Sequence, residues 1–575
     1  MAMKKLYLFI CLLVIMALLA ACGGGTDDTD DDTTAQDAGQ TQQTTPPPTG
    51  DDGIDWGEHV TFTWFINNTP ANDYFTSYND EPVANYLMHR FNVTFDFQNP
   101  PVGTEADALA LMFGSGRFTD AINLSVYTGN VAQLYDDNII VDIAQWLDYM
   151  PNFRHLLETN PAFSRAAYDD LGRILMLPNI SDEPQYPFSG LMYRHDILET
   201  MTDGNVQFPS GNDAPTTIED WEYMLPMFLE YFQNAGFADF APLILPPNGI
   251  IHFGQLMNSF GAHYDFYVRD GIVYSGILEP AFYDYISTMR TWFENGWIHQ
   301  DFAARVGDMF FMPNPPLVFG GVAGAWNGMI MHLGDRMSMP EFGMEFDVRP
   351  IASPMGEGIT HRDMLRSRPD EFGMAPRSNA VSTSNPDIGR FLAALDHLYS
   401  EEGALLKAFG LRADQIPPGY TMMDTMGMSE GTYWFDESGN LVIHPNLDIA
   451  GGHITFSAVN GTRFNGRIAE SHINALRDEE TVRAHAAWTA QCDVSEVFLL
   501  PNQLTPTVAE AAILTANAAQ FADLRDQMLV RFIVGTDPLN EATWNEFLDQ
   551  LRAFGIEENR DIWQAAYDRF LVRGQ

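Results

Sequence analysis

A repeated alternation of strand-like and helix-like segments constrains the fold of this chain more than any other feature. Residues 60–66 read Val-Thr-Phe-Thr-Trp-Phe-Ile, a β-branched and aromatic run that predicts a strand. A helix is predicted over 81–91, and a second strand over 93–97. Because strand, helix and strand follow one another in that order, they predict a parallel βαβ unit.

The same alternation continues toward the C-terminus. Further helices are predicted over 106–114, 217–232 and 280–295, and further strands over 120–124 and 190–193. The folded part holds about 520 residues, which is enough for two or three lobes. The pattern therefore predicts an α/β protein of two lobes, each a mainly parallel sheet flanked by helices.

The N-terminus has the parts of a secretory signal peptide. Lys4 and Lys5 precede an apolar run over 6–19, and small residues lead up to Cys22. This stretch looks like a bacterial lipoprotein signal, which implies that residues 1–21 are removed and that Cys22 carries the lipid, including palmitate. A secreted protein with a chance cysteine remains an alternative. A transmembrane anchor is a weaker one, because the run is shorter than the roughly 20 residues that a spanning helix needs.

Composition limits the partners of the mature chain. Residues 22–55 are rich in Gly, Asp, Thr, Gln and Pro, which predicts a disordered acidic tether after the lipidated cysteine. The net charge of −47 argues against a nucleic-acid partner, since phosphates would be repelled. Lys407 is the only lysine beyond the signal, and Cys492 the only cysteine beyond Cys22, so we expect no internal disulfide.

We find no motif for catalysis, a metal or a cofactor in the sequence. His-Glu-x-x-His, the phosphate-binding Gly-Lys-Ser/Thr and Gly-x-Ser-x-Gly are absent, and His252, His263, His299 and His332 lack metal-ligand spacing. Residues 436–440 are oxygen-rich but favour a β-turn over a calcium loop. We therefore predict no catalytic residue, no metal and no cofactor. A pair of carboxylates that flanks a glycosidic bond stays open as an alternative.

Several short motifs follow one another in a fixed order along the chain. They are Tyr-Arg-His-Asp-Ile-Leu (193–198), Thr-Thr-Ile-Glu-Asp-Trp (216–221), Glu-Pro-Ala-Phe (279–282), Gly-Trp-Ile-His-Gln-Asp-Phe (296–302), Gly-Gly-Val-Ala-Gly-Ala-Trp (320–326), Asn-Pro-Asp-Ile-Gly (385–389), Ser-Glu-Glu-Gly (400–403), Phe-Ile-Val-Gly (532–535), Trp-Asn-Glu-Phe (544–547) and Gln-Ala-Ala-Tyr (564–567). The set resembles extracellular solute-binding lipoproteins of bacterial ABC importers, family 1 of carbohydrate type, in their large Gram-positive-like form. The resemblance covers nearly all of the chain after Trp56.

That resemblance implies the two-lobed periplasmic-binding-protein-like fold of type II, with a ligand held between the lobes. The first lobe would comprise 56–182 and 372–495, and the second 183–371 and 496–575. The chain would cross between them near 177–190 and again near 371–377. An insertion-like stretch at 337–370 distinguishes the chain from the smaller sugar binders.

Aromatic content of 13% is generous, and flat rings with neighbouring amides and hydroxyls suit the faces and hydroxyl groups of sugars. Candidate ligand-binding residues follow the predicted strands, because ligands of α/β sheets lie beyond the carboxyl ends of the strands. The candidates are Trp64, Asn67, Asn68, Ser125, Tyr127, Tyr193, Arg194, Trp326, Asn327 and Trp434. Arg377 and Arg463 are further cationic residues that, if they lie in the cleft, would make its local charge positive despite the negative net charge of the chain.

By the resemblance, the protein is expected to be a non-enzymatic receptor on the outer face of the cell membrane. It would be a monomer that captures a carbohydrate, in particular an oligosaccharide, and delivers it to the permease subunits of an ABC transporter. The alternatives are a surface carbohydrate-active enzyme, and a binding protein for peptides or other solutes that serves a transporter or a sensor kinase.

Overall fold

The computed structural model describes residues 56–67, 74–183, 187, 189–245, 255–304, 315–340, 344–356, 358–359, 379–447, 459, 461, 463–490, 500–501 and 503–573. These residues belong to one compact unit, Pro47–Gln575. The predicted signal peptide, the tether, Cys22, Cys492 and the crossover near 371–377 lie outside the described residues.

Strands and helices alternate along the described chain. The strands are β1 (Val60–Phe65), β2 (Val93–Gln98), β3 (Ala121–Asn123), β4 (Ile180–Ser181), β5 (Ser189–Arg194), β6 (Ala241–Leu243), β7 (Phe266–Arg269), β8 (Ile272–Ser275), β9 (Ala323–Met329), β10 (Val348–Pro350), β11 (Asn379–Val381), β12 (Tyr433–Phe435), β13 (Leu441–Ile443) and β14 (Arg467–Ile468).

The helices are α1 (Pro82–Phe91), α2 (Glu105–Ser115), α3 (Val131–Asp136), α4 (Pro151–Thr159), α5 (Pro161–Ala167), α6 (His195–Met201), α7 (Ile218–Ala235), α8 (Gln255–Asn258), α9 (Pro280–Glu294), α10 (Pro315–Phe319), α11 (Ile388–Asp396), α12 (Glu401–Phe409), α13 (Met422–Thr425), α14 (Glu470–Ala475), α15 (Glu479–Trp488), α16 (Val508–Ile533), α17 (Glu541–Ala553) and α18 (Ile556–Leu571).

The first sheet has the strand order β11-β3-β1-β2. Strand β1 pairs in parallel with β2, in the register Val60↔Val93, and in parallel with β3. Helix α1 connects β1 to β2, so the predicted parallel βαβ unit is confirmed. Strand β11 runs antiparallel to β3 and pairs Asn379 with Asn123. Three strands of this sheet therefore share one direction, and β11 is the reversed strand.

The second sheet repeats this plan in the order β10-β5-β9-β6. Strands β6 and β9 are parallel, whereas β5 is antiparallel to both β9 and β10. Strand β5 is thus the reversed strand of this sheet. The helix that packs beside β6 and β9, α7, starts at a capping box in which Thr217 accepts from the Asp220 N–H, and it ends at Gly236 in the left-handed region.

Each sheet has its own hydrophobic core. The first core joins residues from 62–180 with residues from 381–464, and the second joins 191–351 with 484–556. In the second core Trp221 and Trp292 stack with ring centroids 6.1 Å apart, as expected for core tryptophans. The predicted α/β fold of two lobes is confirmed.

One helix lies on a different core from the one that the sequence predicts. Ala484 and Trp488 of α15 belong to the second core, and the Trp488 indole N–H donates to the Leu191 carbonyl at 2.8 Å. The sequence analysis assigns this region to the first lobe. A short amphipathic helix packs on whichever sheet its tertiary contacts favour, and its pattern alone does not name the sheet.

Among the described residues, none of the helices is both long enough and apolar enough to cross a membrane.

Candidate functional site

The two sheets present equivalent edges to the segments that connect the lobes. In each sheet three strands end at one edge, and the reversed strand begins there. Strand β5 enters at Ser189, which pairs with Met329 at the end of β9, and β11 enters at Asn379, which pairs with Asn123 at the end of β3. Because ligands of α/β sheets lie beyond the carboxyl ends of strands, these two edges form the candidate site. We call them the first edge and the second edge.

Asn379 holds the first edge together through its buried amide. The Asn379 Oδ1 accepts from the Trp64 indole N–H at 3.2 Å and from the Asn123 amide at 3.1 Å. The Asn379 Nδ2 donates to Asn465 Oδ1 at 2.7 Å and to the Arg463 carbonyl at 3.2 Å. All four hydrogen-bonding positions of the Asn379 amide are thus used, which fixes the spacing of the strands at this edge.

The other polar groups of the first edge lie nearer the surface. Asn67 is half-buried just beyond β1. Ser125, directly after β3, is exposed and donates from its hydroxyl to Asn123 Oδ1 at 2.5 Å. Tyr127 is half-buried, and its ring lies 5.4 Å from that of Phe113. The structure therefore brings Asn67, Ser125 and Tyr127 to the same edge, while Asn68 lies outside the described residues.

Trp64 has a different environment from the one expected for a ligand-binding ring. Its side chain is wholly buried, and its ring contacts the rings of Phe95, Phe391 and Phe464 at centroid distances of 5.6, 5.2 and 5.5 Å. A ring enclosed by other rings has no free face for a sugar. In this conformation Trp64 is a core residue whose N–H anchors Asn379.

Asn327 is the most unusual residue of the second edge. It is only 5% exposed, yet its amide nitrogen and its amide oxygen both lack a hydrogen-bond partner among the described residues. A buried amide without partners costs about 1–3 kcal/mol. Native proteins retain such groups rarely, and an unsatisfied buried group needs a reason.

Two further unpartnered groups belong to the same region. Ser353 is 2% exposed and its hydroxyl has no partner, and the Nδ2 of Asn258, a residue that is 3% exposed, has none either among the described residues. The register of β5 with β10 continues through the hydrogen bond from the Ile351 N–H to the Leu191 carbonyl, and this places Ser353 opposite Ser189. The second edge therefore collects amide and hydroxyl groups that have no hydrogen-bond partner among the described residues.

Trp326 belongs to the opposite face of β9, because successive side chains of a strand alternate. It is 1% exposed, and its indole N–H donates to His332 Nδ1 at 3.4 Å. The Met329 N–H donates to the same nitrogen at 3.3 Å, so the proton of the neutral ring resides on Nε2. Burial lowers the pKa of His332 to about 4, which keeps the ring neutral. Like Trp64, Trp326 offers no free ring face in this conformation.

Tyr193 and Arg194 lie at the far end of the second sheet. Because β5 is reversed, its carboxyl end meets Val348, the first residue of β10, at the edge opposite Ser189. The Arg194 guanidinium forms a 2.5 Å ion pair with Asp196 and donates to the Gly321 carbonyl at 3.1 Å. Burial raises the pKa of Tyr193 well above its usual range. Both side chains are engaged in structure, and Tyr193 lies on the same face as Asn327, two residues beyond its partner Leu191.

Trp434 lies at neither edge. It belongs to β12, which pairs with β13 in a two-stranded hairpin, and it is half-buried against His444. The Asp436 N–H donates to the Asn440 carbonyl at 3.0 Å, and Gly439 adopts a φ of 82°. The predicted β-turn is therefore confirmed. Among the described residues no group of three or more His, Cys, Asp or Glu side chains is arranged to hold a metal ion.

The sequence analysis missed Asn379, Asn258 and Ser353. Asn379 opens a three-residue strand, and its partners lie far away in sequence, so no local pattern marks it. Ser353 follows β10 within a region that we interpreted as an insertion. The only sequence feature that marks Asn379 and Ser353 is a Ser or Asn next to the end of a strand. Such residues are too common in the sequence to distinguish these two.

The lobes also contact each other through hydrogen bonds and ion pairs outside the two sheets. Asp170, which lies between α5 and β4, accepts from Arg569 Nε and from Arg573 Nε, each at 2.6 Å. Arg569 also pairs with Glu510 at 2.6 Å. The Asn130 amide donates to the Pro506 carbonyl at 3.0 Å. Through these bonds α16 and α18 are attached to residues beside the first core.

Comparison with known proteins identifies the fold. No family model and no curated protein matches the sequence. Among solved structures, the alginate-binding protein AlgQ2 without calcium ion matches with a TM-score of 0.65 at 18% identity, over 89% of this chain and 98% of that one. An HMO-binding ABC-transporter-associated solute-binding protein from Bifidobacterium longum infantis matches with a TM-score of 0.67 at 18% identity, over 89% and 99%. FusA from S. pneumoniae in complex with kestose matches with a TM-score of 0.65 at 15% identity, over 89% and 99%. These neighbours confirm that the chain has the fold of ABC-transporter solute-binding proteins.

Proposed function

We propose that this protein is a lipid-anchored extracellular receptor that captures a carbohydrate and delivers it to the permease of an ABC transporter. The observation that carries the proposal is the agreement in fold, over 89% of the chain, with an alginate-binding protein, an HMO-binding protein and a protein in complex with kestose. The three similar structures concern different saccharides, so the proposed ligand is an oligosaccharide.

The two edges supply the binding chemistry. Asn67, Ser125 and Tyr127 on the first edge and Asn327 on the second edge offer amides, hydroxyls and one half-buried ring, which suit the hydroxyl groups and the apolar face of a sugar. Closure of the lobes would remove water from these groups, since each lobe carries its own core and hinge closure around a ligand is a known motion. The lobes are those given by the sequence, with α15 assigned to the second.

The same proposal covers attachment to the membrane. Cys22 would carry the lipid after removal of residues 1–21, and residues 22–55 would hold the receptor at a distance from the bilayer. In cell fractionation the natural protein is expected with the membranes, and the Cys22→Ser variant in the soluble fraction or uncleaved. Equal membrane association of the two, with cleavage at the same place, would contradict the lipid anchor.

Binding without chemical conversion is the property to test. Because a ligand that binds only the native state raises its stability, an oligosaccharide present at 100 times its Kd should add about 2.7 kcal/mol. The experiment is a thermal-shift screen of the purified protein against oligosaccharides of different sugars, lengths and charges. A rise in Tm with some members supports the proposal. No shift with any member, or steady release of shorter sugars, would contradict it.

A further inference from the structure

Asn327 combines two properties that rarely occur together. It is 5% exposed on a central strand, and neither atom of its amide has a partner among the described residues. Asn379, at the candidate edge of the first sheet, is 3% exposed and has all its hydrogen-bonding positions occupied. The chain is therefore able to satisfy a buried amide at such an edge, and at Asn327 it does not.

The unpartnered groups lie where a ligand would enter. Asn327 pairs with Leu191 across β5, and the Ile351 N–H donates to the Leu191 carbonyl, so Asn327 and Ile351 flank the same residue on one face. Ser353 follows two residues later on that face. The segment after Ser353 reaches the end of α8, where the Gly356 N–H donates to the Ser259 carbonyl at 2.9 Å beside Asn258.

The chemistry of these groups selects an uncharged ligand. An amide and a hydroxyl both donate and accept, as does each hydroxyl of a sugar, whereas a carboxylate only accepts and favours a cation. Three arginines of the second lobe are already engaged with carboxylates, namely Arg194 with Asp196 at 2.5 Å, Arg336 with Asp478 at 2.5 Å and Arg349 with Asp347 at 2.7 Å. The net charge of −47 disfavours an anion further.

We infer that Asn327, with Ser353 and Asn258, forms the second-lobe subsite for the hydroxyl groups of a neutral oligosaccharide. This inference rests on the proposed function. It adds the class of ligand, a neutral oligosaccharide, and the residues that would bind its hydroxyl groups. The binding energy comes from satisfying groups that have no partner in the described part of the free protein, so the subsite lowers the stability of the free receptor in return for affinity.

The test uses the Asn327→Leu variant of the mature chain, because leucine matches the shape of asparagine without its polar atoms. Binding is measured by calorimetry with neutral gluco-, fructo-, galacto- and manno-oligosaccharides of two to six units, and with uronate oligosaccharides of the same lengths. We expect a neutral member to bind the natural protein, a loss of at least tenfold in affinity in the variant, and an unliganded Tm that is unchanged or higher.

Asn559→Leu is the matched control. Asn559 is 2% exposed in the second lobe but accepts from Asn517 at 3.0 Å and donates to the Leu514 carbonyl at 3.4 Å, so its loss should lower the Tm and leave affinity within twofold. Ser353→Ala, which removes one oxygen atom, gives a second variant that cannot overpack the site, and it should also weaken binding.

Each other outcome has a defined meaning. Equal affinity of Asn327→Leu and the natural protein overturns the inference but keeps carbohydrate capture. Binding of uronate oligosaccharides alone overturns the neutral ligand class and keeps the proposed function. A lower Tm of unliganded Asn327→Leu would mean that the Asn327 amide stabilises the free protein, and it would therefore contradict the inference that this amide is unpartnered. Absence of binding by every oligosaccharide overturns the proposed function, and the inference with it.

Discussion

The Asn379→Leu substitution tests how the first edge is built. Leucine keeps the number of heavy atoms and the branch point of the side chain and removes both polar atoms. Trp64 is wholly buried, and its indole N–H loses the Asn379 Oδ1 acceptor that lies 3.2 Å away. Leaving this buried donor without a partner costs about 1–3 kcal/mol. The lost bonds to Asn123, Asn465 and the Arg463 carbonyl add about 0.5–1 kcal/mol each. We expect the free energy of unfolding to fall by about 3–5 kcal/mol.

The assay is chemical denaturation of the natural protein and the variant, followed by tryptophan fluorescence, with Asn327→Leu as the matched control. The same substitution at Asn327 removes an unpartnered amide, so it should leave the free energy of unfolding unchanged or raise it by up to about 3 kcal/mol. The expected result is a loss of stability at Asn379 and no loss at Asn327, although both positions are buried. A loss below about 1 kcal/mol at Asn379, or equal losses at both positions, would refute the reasoning.

Three further predictions concern contacts elsewhere. Asp170→Asn should lower the free energy of unfolding by about 2–4 kcal/mol, because Arg573, whose side chain is 2% exposed, loses its carboxylate at 2.6 Å. Burial lowers the pKa of Lys407 to about 7, so between pH 7 and 10.5 the unfolded chain holds a proton that the folded chain lacks. The free energy of unfolding should therefore rise by about 1.4 kcal/mol per pH unit over pH 7.5–9.5, as the cost of deprotonating the buried lysine falls. Lys407→Met should remove that slope. Gly190→Ala should cost about 1–3 kcal/mol and alter fluorescence, since a Cβ there would lie 2.5 Å from the Trp488 ring.

Matched controls separate these effects from general damage. Asp148→Asn, in an exposed pair with Arg154, should change stability by less than about 1 kcal/mol. Gly114→Ala meets no atom within 4 Å and lies inside α2, so it should stabilise by about 0.5–1 kcal/mol. Equal effects of Asp148→Asn and Asp170→Asn, parallel pH profiles of Lys407→Met and the natural protein, or equal effects of the two glycine substitutions would contradict the respective prediction.

The sequence predicts the local elements well where propensity and periodicity agree. The first βαβ unit and the turn of the hairpin of β12 and β13 both follow from short-range pattern. Such elements are encoded within a few turns or strands, and no distant partner is needed to specify them. The order of the separated motifs also predicts the overall fold, which the similar structures confirm.

The candidate site is less predictable, because it depends on direction and on distant partners. Tyr193 and Arg194 follow a strand and satisfy the local rule, but β5 is reversed, so its carboxyl end lies at the opposite edge. Trp64 and Trp326 stand at strand ends in the sequence, yet both are buried, and Trp64 is enclosed by Phe391 and Phe464, which lie far along the chain. The amide of Asn379 bonds to residues 315 and 256 positions away, a distance that no window of sequence covers.

Isothermal titration calorimetry of the mature protein with its best oligosaccharide tests the central claim most directly, because one experiment reports binding and turnover together. Capture between two lobes predicts heat that saturates at one ligand per chain and then stops, with the oligosaccharide recovered unchanged. Heat that continues after saturation, as a reaction proceeds, or no heat with any oligosaccharide, would contradict the account.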